Sequence, residues 1–261
     1  MLGAKLNVSS RFKAYVAGGK VVSVAGSPTR ELRKLIFDEI FASEPRLIVQ
    51  HITDICLADG EGVDMDCADR ATAQFRGSSY TGTERYDTYR VQIPITSTYD
   101  IYYFRMYSGG TLYFQSAPAG GSLPVESGDT LTLDITTRIS ATHSIRTEGA
   151  LPPVEPSNYH IFDGIAVAIW SARNIYQLIT ITDIRWWGYE DAVLIVPAQR
   201  YYDPSTLSGT IWHDEVNFER EDDLESFNTG AQYFTGFDYI LPEPVRVTPD
   251  DRAKFKLNVR I

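Results

Sequence analysis

An acidic loop carries the residues of this chain that are best suited to bind a metal ion. Its five carboxylates belong to Asp59, Glu61, Asp64, Asp66 and Asp69. Ca²⁺ prefers hard oxygen ligands of this kind, but the order of residues departs from an EF-hand loop, which requires a D-x-D-x-D-G run and a closing Glu. We favour a solvated acidic loop, with a divalent cation site as the alternative.

Three tryptophans, Trp186, Trp187 and Trp212, form the second group, and Asp214 and Glu215 follow the last of them. Aromatic faces stack on sugar rings, and paired carboxylates hydrolyse glycosides. If these two carboxylates lie on a strand, they point to opposite faces, which argues against a shared catalytic cleft. We therefore take the tryptophans as candidates for packing in the core or in a protein interface, with carbohydrate binding as the alternative.

The sequence contains no recognisable catalytic or cofactor-binding motif. It has no GxSxG elbow, no GxxxxGK[ST] phosphate loop, no GxGxxG after a strand and no HExxH. None of the four histidines has a second histidine three to five residues away, so no zinc site is assembled locally. They are His51, His143, His160 and His213. We predict a protein without enzymatic activity and without a cofactor.

The composition of the chain argues against two classes of partner, nucleic acids and membranes. The net charge of −10 and the scattered Lys and Arg residues argue against a nucleic-acid surface. The longest apolar run, IAVAIW at 165–170, is too short to cross a membrane, and we see no export signal, so neither a membrane nor a secretory route is expected. In a cytoplasm Cys56 and Cys67 are free thiols by default, and a disulfide between them is the alternative.

Three short patterns recur in the same order along the chain. IFDEI at 36–40 returns as IFDGI at 161–165, ITDI at 52–55 returns unchanged at 181–184, and SGDTLTLDITTRI at 127–139 is echoed by PDDRAKFKLNVRI at 249–261. The offsets are 125, 129 and 122 residues. Such agreement predicts a tandem duplication with small loop insertions.

The sequence patterns indicate that the chain forms mainly β-strands. We predict a mainly β, antiparallel, sandwich-like fold with one short helix in each of two similar domains. The boundaries are an N-terminal extended or hairpin segment at 1–26, a first β-rich copy at 27–148, a Pro-rich linker at 149–158 and a second copy at 159–261.

Helix and strand patterns support this division. Ser27 can cap a first helix that has an apolar stripe through Leu32, Ile36 and Ile40, and a second helix is predicted at 159–172. The run 117–129 reads as a loop because Pro and Gly interrupt it densely. The closing strand of each copy alternates apolar and polar residues, and we expect a neighbouring subunit to hold the chain's ends.

The first copy resembles the small β-rich structural proteins of tailed bacteriophage particles. The resemblance rests on LIFDEIF at 35–41, ITDICLADG at 52–60, GGTLYFQS at 109–116 and SGDTLTLDITTRIS at 127–140. It covers about 110 residues directly and reaches the second copy through the internal repeat. Asp250 and Arg252 replace the Gly and Thr of the closing motif in that copy.

The resemblance implies a virion protein of the neck, collar or tail, or a fibre-anchoring ring, that is made in the host cytoplasm. Its expected partners are other virion proteins and further copies of itself in a homo-oligomeric ring. A ring of n chains with two similar domains each would offer 2n related positions, which answers a symmetry mismatch between stacked rings. The alternatives are a carbohydrate-binding module for host attachment and a glycan-degrading enzyme.

Overall fold

The protein is built almost entirely of antiparallel strands. A computed structural model describes residues 2–15, 21–41, 43, 51–60, 67–81, 84–145, 180–231 and 234–260. The first half contains α1 (Arg30–Phe41) and strands β1 (Leu2–Tyr15), β2 (Val21–Pro28), β3 (Asp54–Ala58), β4 (Cys67–Thr72), β5 (Gln74–Thr81), β6 (Glu84–Pro94), β7 (Tyr99–Ile101), β8 (Tyr103–Ser108), β9 (Thr111–Ser116), β10 (Leu123–Val125) and β11 (Thr130–Ile145). The second half contains β12 (Ile181–Trp187), β13 (Ala192–Pro197), β14 (Gln199–Asp203), β15 (Ser208–Asn217), β16 (Asp222–Ala231), β17 (Phe234–Val247) and β18 (Arg252–Arg260).

These elements confirm the predicted mainly β class. Within the described ranges α1 is the one helix, and it is too short to span a membrane. The helix predicted at 159–172 and the linker at 149–158 lie outside the described residues.

Thr29, and not Ser27, caps α1. The backbone N–H of Leu32 donates to Thr29 Oγ1 at 3.2 Å, which is the bond that an N-cap residue accepts. Ser27 is still in β2, where it pairs with Gln115 of β9. The predicted apolar stripe is confirmed, because the buried residues of α1 include Leu32, Ile36 and Ile40.

The strands pair in the same order in the two halves. The first half has a sheet β4-β3-β8-β9 and a second run β5-β6-β11. The second half has β13-β12-β16-β17 and β14-β15-β18. Each half therefore forms a sandwich of the same pairing pattern, as two copies of one domain would.

Individual hydrogen bonds also recur. Ala73 N donates to Thr53 O at 2.8 Å, and Ala198 N donates to Thr182 O at 3.0 Å, so the same bond follows β4 and β13. The hydroxyls of both threonines donate to the carboxylate of the next residue, at 2.6 and 2.7 Å. A duplication explains these bonds; the duplication itself stays a prediction.

The turn before each closing strand is conserved in its bonding between the halves. Asp129 N donates to Glu126 O at 3.1 Å, and Asp251 N donates to Thr248 O at 2.9 Å. The predicted inward face of the closing strands is confirmed. Its buried residues are Leu131, Leu133, Ile135, Thr137 and Ile139 in β11, and Ala253, Phe255, Leu257 and Val259 in β18.

Strand β1 joins the two halves into one sheet. One edge of β1 pairs with β11 over its whole length, and the other edge pairs with β18 at 2–5 and with β2 at 10–15. The resulting order, β5-β6-β11-β1-β18-β15-β14, is called the long sheet below. The predicted β1–β2 hairpin is confirmed. The first and last described strands pair with each other at 2–5 and 257–260; the expectation of a neighbouring subunit at the chain ends stays a prediction.

The long sheet has one covered face and one outer face. Strand β1 runs antiparallel to β11 and parallel to β18, so β11 and β18 run in opposite directions on the two sides of β1. The runs β5-β6-β11 and β14-β15-β18 are therefore related by a half-turn about an axis perpendicular to the sheet. Val8 and Phe12 of β1 are buried on the covered face, whereas Arg11 and Lys13 are exposed on the other. Both sandwiches therefore lie on the same side of the long sheet, and no described element covers the outer face.

Helix α1 fastens the first half to the second. The ring of Phe37 stacks on Tyr202 of β14 at 6.0 Å, and Phe41 lies 5.7 Å from the same ring. Thr180 Oγ1 donates to the backbone O of Glu39 at 2.7 Å in a buried position. The halves are therefore packed together as well as hydrogen-bonded through β1.

The structure contains strands that the sequence patterns do not predict. The predicted loop at 117–129 contains β10, in which Leu123 and Val125 pair with Ile101 and Tyr99 of β7. A three-residue strand gives too short a pattern to stand out among Pro and Gly residues. The sequence patterns do not predict strands β4, β5, β15, β16 and β17, because their alternation is broken by register shifts in five of the pairs they form.

Candidate functional site

The acidic loop does not bring its carboxylates together as a cation site in the part that is described. Glu61, Asp64 and Asp66 lie outside the described residues, and Asp59 is exposed. Asp69 is buried in β4, and its carboxylate accepts bonds from Thr96 N at 3.2 Å, Thr96 Oγ1 at 2.8 Å and Tyr99 Oη at 2.8 Å. Among the described residues no group of three His, Cys, Asp or Glu could hold a metal ion.

Asp69 therefore positions the segment that follows β6. Burial, followed by the bond to Asp69, raises the pKa of Tyr99, so its hydroxyl keeps its proton and remains a donor. Three donors already occupy most of the lone pairs of the carboxylate. Asp69 is a structural residue.

Cys56 and Cys67 form a disulfide, so the expectation of free thiols is wrong. Their Cα atoms lie 5.3 Å apart on the neighbouring strands β3 and β4. A register shift after Leu57 brings Cys67 opposite Ala58 and leaves Cys56 within bonding distance. A sequence separation of 11 residues alone could not reveal this, since the pairing of β3 with β4 decides it.

Trp186 is a core residue and not an interface residue. Only 1 % of its surface is exposed, and Phe227 lies 5.1 Å from its ring. Its indole N–H donates to Nε2 of His213 at 3.1 Å. Of the alternatives given for Trp186, packing in the core is confirmed, and contact with a partner or a sugar is not, because the covered face of the second half encloses the ring.

Trp187 and Trp212 are both partly exposed, on different sheets. Trp187 is on β12, and its indole N–H has no acceptor among the described residues. Trp212 is on β15, where it lines a shallow groove on the outer face with Tyr201 and Lys256. The two tryptophans that remain available therefore do not form one site.

Asp214 and Glu215 are each bound to neighbouring side chains. They are both exposed, because β15 has a register shift between His213 and Val216; the predicted placement on opposite faces is therefore wrong. Glu215 pairs with Lys254 and Arg252, and the bond and charge of Lys254 lower the pKa of its carboxyl. A general acid for glycoside hydrolysis requires the opposite shift.

Two of the histidines are fixed inside the protein. The ring of His51 is buried, with Nδ1 at 2.8 Å from Tyr89 Oη and 3.3 Å from a carboxylate oxygen of Asp87. Arg85 donates to Asp87 at 3.0 Å, and these four side chains form a buried polar cluster that the sequence did not predict. The side chain of His143 and the whole of His160 lie outside what the structure describes.

This cluster is charged and closed to solvent. Burial alone would raise the pKa of Asp87, but hydrogen bonds from His51 and Ser78 and the charge of Arg85 lower it. Asp87 is 0 % exposed and Tyr89 1 %, so a substrate cannot reach them in this structure. The cluster therefore acts as a polar part of the core.

The outer face of the long sheet carries a cluster of positive charge in the first half. In the first half it carries five cationic residues and one carboxylate around a concavity of about 890 Å³ with an adjoining shallow hollow; we call this the basic concavity. Its charged residues are Arg11, Lys13, Arg76, Arg90, Arg138 and Asp134. This excess of positive charge lies on a chain whose net charge is −10.

The carboxylate in the basic concavity is already neutralised. Arg90 donates to Asp134 through Nε at 2.6 Å and Nη2 at 2.9 Å. The bond from Arg90 is the main reason that the pKa of Asp134 is lowered. Neither Arg11 nor Lys13 forms an ion pair with a described residue, so their charges face solvent.

Equivalent positions of the outer face carry different chemistry in the second half. Arg90 stands opposite Asp134 in the β6–β11 pair, and Trp212 stands opposite Lys256 at the matching place in the β15–β18 pair. Most inward residues of the same strands are apolar, although Arg85 and Asp87 of β6 and His213 of β15 are buried polar exceptions. The shared residues thus build the fold, and the unshared residues change the surface.

One end of the second half is strongly acidic. Three connected loops, at 188–191, 218–223 and 248–251, make up this acidic end. Arg220 pairs with Asp191 and Asp222, and Arg246 pairs with Glu221 and Asp223. The three segments carry eight carboxylates in all: Glu190, Asp191, Glu219, Glu221, Asp222, Asp223, Asp250 and Asp251. Beside them Tyr189 is 81 % exposed.

Sequence reasoning missed the basic concavity because its cations are distant in the chain. Arg11, Arg76, Arg90 and Arg138 come from four different strands, and pairing alone brings them to one face. The alternation of charged and apolar residues in each strand was the available signal. The acidic run at 219–225 is visible in the sequence, because its carboxylates are close together in the chain.

Comparison of the chain with protein-family models, curated proteins and solved structures gave no match.

Proposed function

We propose that this protein is a non-enzymatic structural component of a phage particle, a ring or adaptor of the neck, collar or tail. One observation carries the proposal: β1 lies between β11 and β18 and fuses two similarly connected sandwiches into one body. Such a body presents two related but chemically different surfaces in a fixed geometry. That is a suitable property for a subunit that contacts several neighbours at once.

The state of the reactive groups supports a role without catalysis. Asp69 and Asp87 are held in buried structural bonds, and the pKa of Glu215 is lowered by its basic neighbours. The proposed partners are further copies of the chain and other virion proteins, and neither nucleic acid nor a membrane. The assignment to a virion comes from the sequence resemblance of the first copy.

Electron microscopy of the purified protein tests this proposal. We expect closed rings in which each subunit contributes two similar lobes, giving twice as many lobes as chains. Isolated particles of one chain, at concentrations where other ring proteins assemble, would contradict the proposal.

The groove around Trp212 favours carbohydrate binding as a second candidate function. Tyr201 is 65 % exposed, and it lies diagonally across the β14–β15 pair from the partly exposed Trp212. Gln199 Nε2 donates to Asp214 Oδ2 at 3.0 Å beside them, which supplies oriented polar groups next to two aromatic rings. Aromatic stacking with neighbouring hydrogen bonds is how shallow sugar sites are built.

A glycan array with two variants tests this candidate. Trp212→Ala and Tyr201→Ala should each remove any sugar binding, and Tyr189→Ala, at an exposed tyrosine outside the groove, should retain it. Absence of binding by the unaltered protein would exclude the candidate while leaving the structural role in place.

A further inference from the structure

We infer that the basic concavity of one chain receives the acidic end of the next chain, so that subunits associate head to tail. This inference deepens the proposed ring and rests on it. The partner is a second copy of this chain, and the recognition is between opposite charges.

Positive and negative charges are concentrated at different places in the molecule. The basic concavity holds five cations and one carboxylate, whereas the acidic end holds eight carboxylates and two arginines. Both surfaces are accessible, and they lie on different halves of the chain. Complementary surfaces of this kind steer association and fix its orientation.

The second argument is the state of the individual charges. Arg11 and Lys13 are exposed and form no ion pair with any described residue. At the acidic end, Glu190 and Asp250 are exposed in turns and likewise have no ion-pair partner in the described part of the chain. Charges left without partners within one chain are the ones that a second chain can pair.

The third argument is shape and anchoring. The concavity is about 890 Å³, and its wall includes small side chains such as Ser23 and Ala25 beside Tyr15 and Tyr86. Tyr189 projects from the acidic end with 81 % of its surface exposed. An exposed tyrosine surrounded by charge is a suitable anchor, because tyrosine is enriched among the residues that dominate binding energy.

Contact between the basic concavity of one chain and the acidic end of another is a head-to-tail contact. A contact between different surfaces of identical chains is heterologous, and it closes into a ring when the rotation between subunits permits closure. A polyanion such as nucleic acid could also bind a basic face. The net charge of −10 and the acidic end in the same molecule oppose that encounter, so a second copy is the better occupant.

Charge reversal on both sides gives a direct test. Variant A carries Arg11→Glu and Lys13→Glu, and variant B carries Glu190→Lys and Asp250→Lys. A matched control, Lys256→Glu with Arg260→Glu, reverses two exposed cations on the outer face of the other half. Circular dichroism and thermal unfolding establish that each variant is folded, and native mass spectrometry measures the assembly.

We expect variants A and B each to associate about a hundredfold more weakly than the unaltered protein, because like charges then face each other. The control should assemble normally. Mixing A with B should restore assembly with strict alternation, since the acidic end of A meets the basic concavity of B and the reversed end of B meets the reversed concavity of A.

The outcomes separate this inference from the proposed function. If variants A and B assemble normally, or if their mixture stays dissociated, the inferred contact between the basic concavity and the acidic end is contradicted. The proposed ring is not affected by either result. An unaltered protein that remains a monomer would remove both. Loss of DNA binding in variant A, with assembly unchanged, would assign the basic concavity to nucleic acid instead.

Discussion

Trp186 and His213 share a buried hydrogen bond that fixes the protonation state of the histidine. The indole N–H of Trp186 is a donor, so Nε2 of His213 must accept it, at 3.1 Å. The other ring nitrogen, Nδ1, lies 2.6 Å from the backbone O of Asp214 and therefore donates its proton. His213 is accordingly neutral, with its proton on Nδ1, and burial lowers its pKa below the usual 6.5.

This arrangement predicts that the protein loses stability in mild acid. Below about pH 6.5 the unfolded chain takes up a proton at this histidine while the folded chain does not, so the free energy of unfolding falls. The loss continues until the pH passes the lowered pKa of the folded state, at a rate of up to about 1.4 kcal/mol per pH unit. Urea unfolding between pH 7 and 5 measures it. The variant His213→Gln should show a smaller slope, and an unchanged slope would contradict the assigned state.

A methyl group at Gly209 should weaken the packing of α1 against the second half. A Cβ atom there would lie 2.3 Å from Cζ of Phe41, closer than two carbon atoms can approach. We expect Gly209→Ala to destabilise the protein by about 1–3 kcal/mol, the range for overpacking. Adding Phe41→Leu should recover part of that loss, and chemical unfolding of the single and double variants measures the coupling. Full additivity would show that the two residues do not meet.

The disulfide between Cys56 and Cys67 should stabilise the first half. Closing a loop of this length contributes about 2–3 kcal/mol through the unfolded chain. Neither thiol should react with iodoacetamide before reduction, and both should react after reduction and unfolding. A double variant with alanine at both positions should unfold at lower denaturant concentration than the oxidised protein. Rapid alkylation of the native, unreduced protein would contradict the bond.

Asp69 should contribute to stability and not to calcium affinity. Replacing it with alanine leaves three buried or half-buried donors of Thr96 and Tyr99 without their acceptor, and we expect a loss of about 2–4 kcal/mol. Calcium should shift the thermal unfolding of the unaltered protein and of Asp69→Ala by the same amount. A calcium-dependent shift that disappears in the variant would assign Asp69 to a cation site.

Much of the fold could be predicted from periodicity. The alternation in the closing strands predicted their buried face, and the Leu32, Ile36, Ile40 stripe predicted α1. The role of β1 could not be predicted, because strand pairing between residues 2–5 and 257–260 depends on contacts that no local pattern encodes. The N-cap is Thr29 and not the predicted Ser27 for a related reason, since pairing with β9 keeps Ser27 in a strand.

The candidate surface was harder to predict than the fold. Trp186 and Trp187 are adjacent in sequence, but Trp186 is enclosed by the core and Trp187 is partly exposed. Which of the two is buried depends on which face of β12 packs against the core. The sequence did single out Trp212, which lines the groove on the outer face. The basic concavity depends on strand order, and scattered cations in a sequence do not reveal strand order.

The mass of the native assembly tests the central claim most directly. Native mass spectrometry, or light scattering after size exclusion at physiological salt, would compare the measured mass with that of one chain, 29.3 kDa. We expect a single species whose mass is an integral multiple of that value, as a closed ring requires. A species of 29.3 kDa that persists over the whole range of concentration would contradict the proposed structural role.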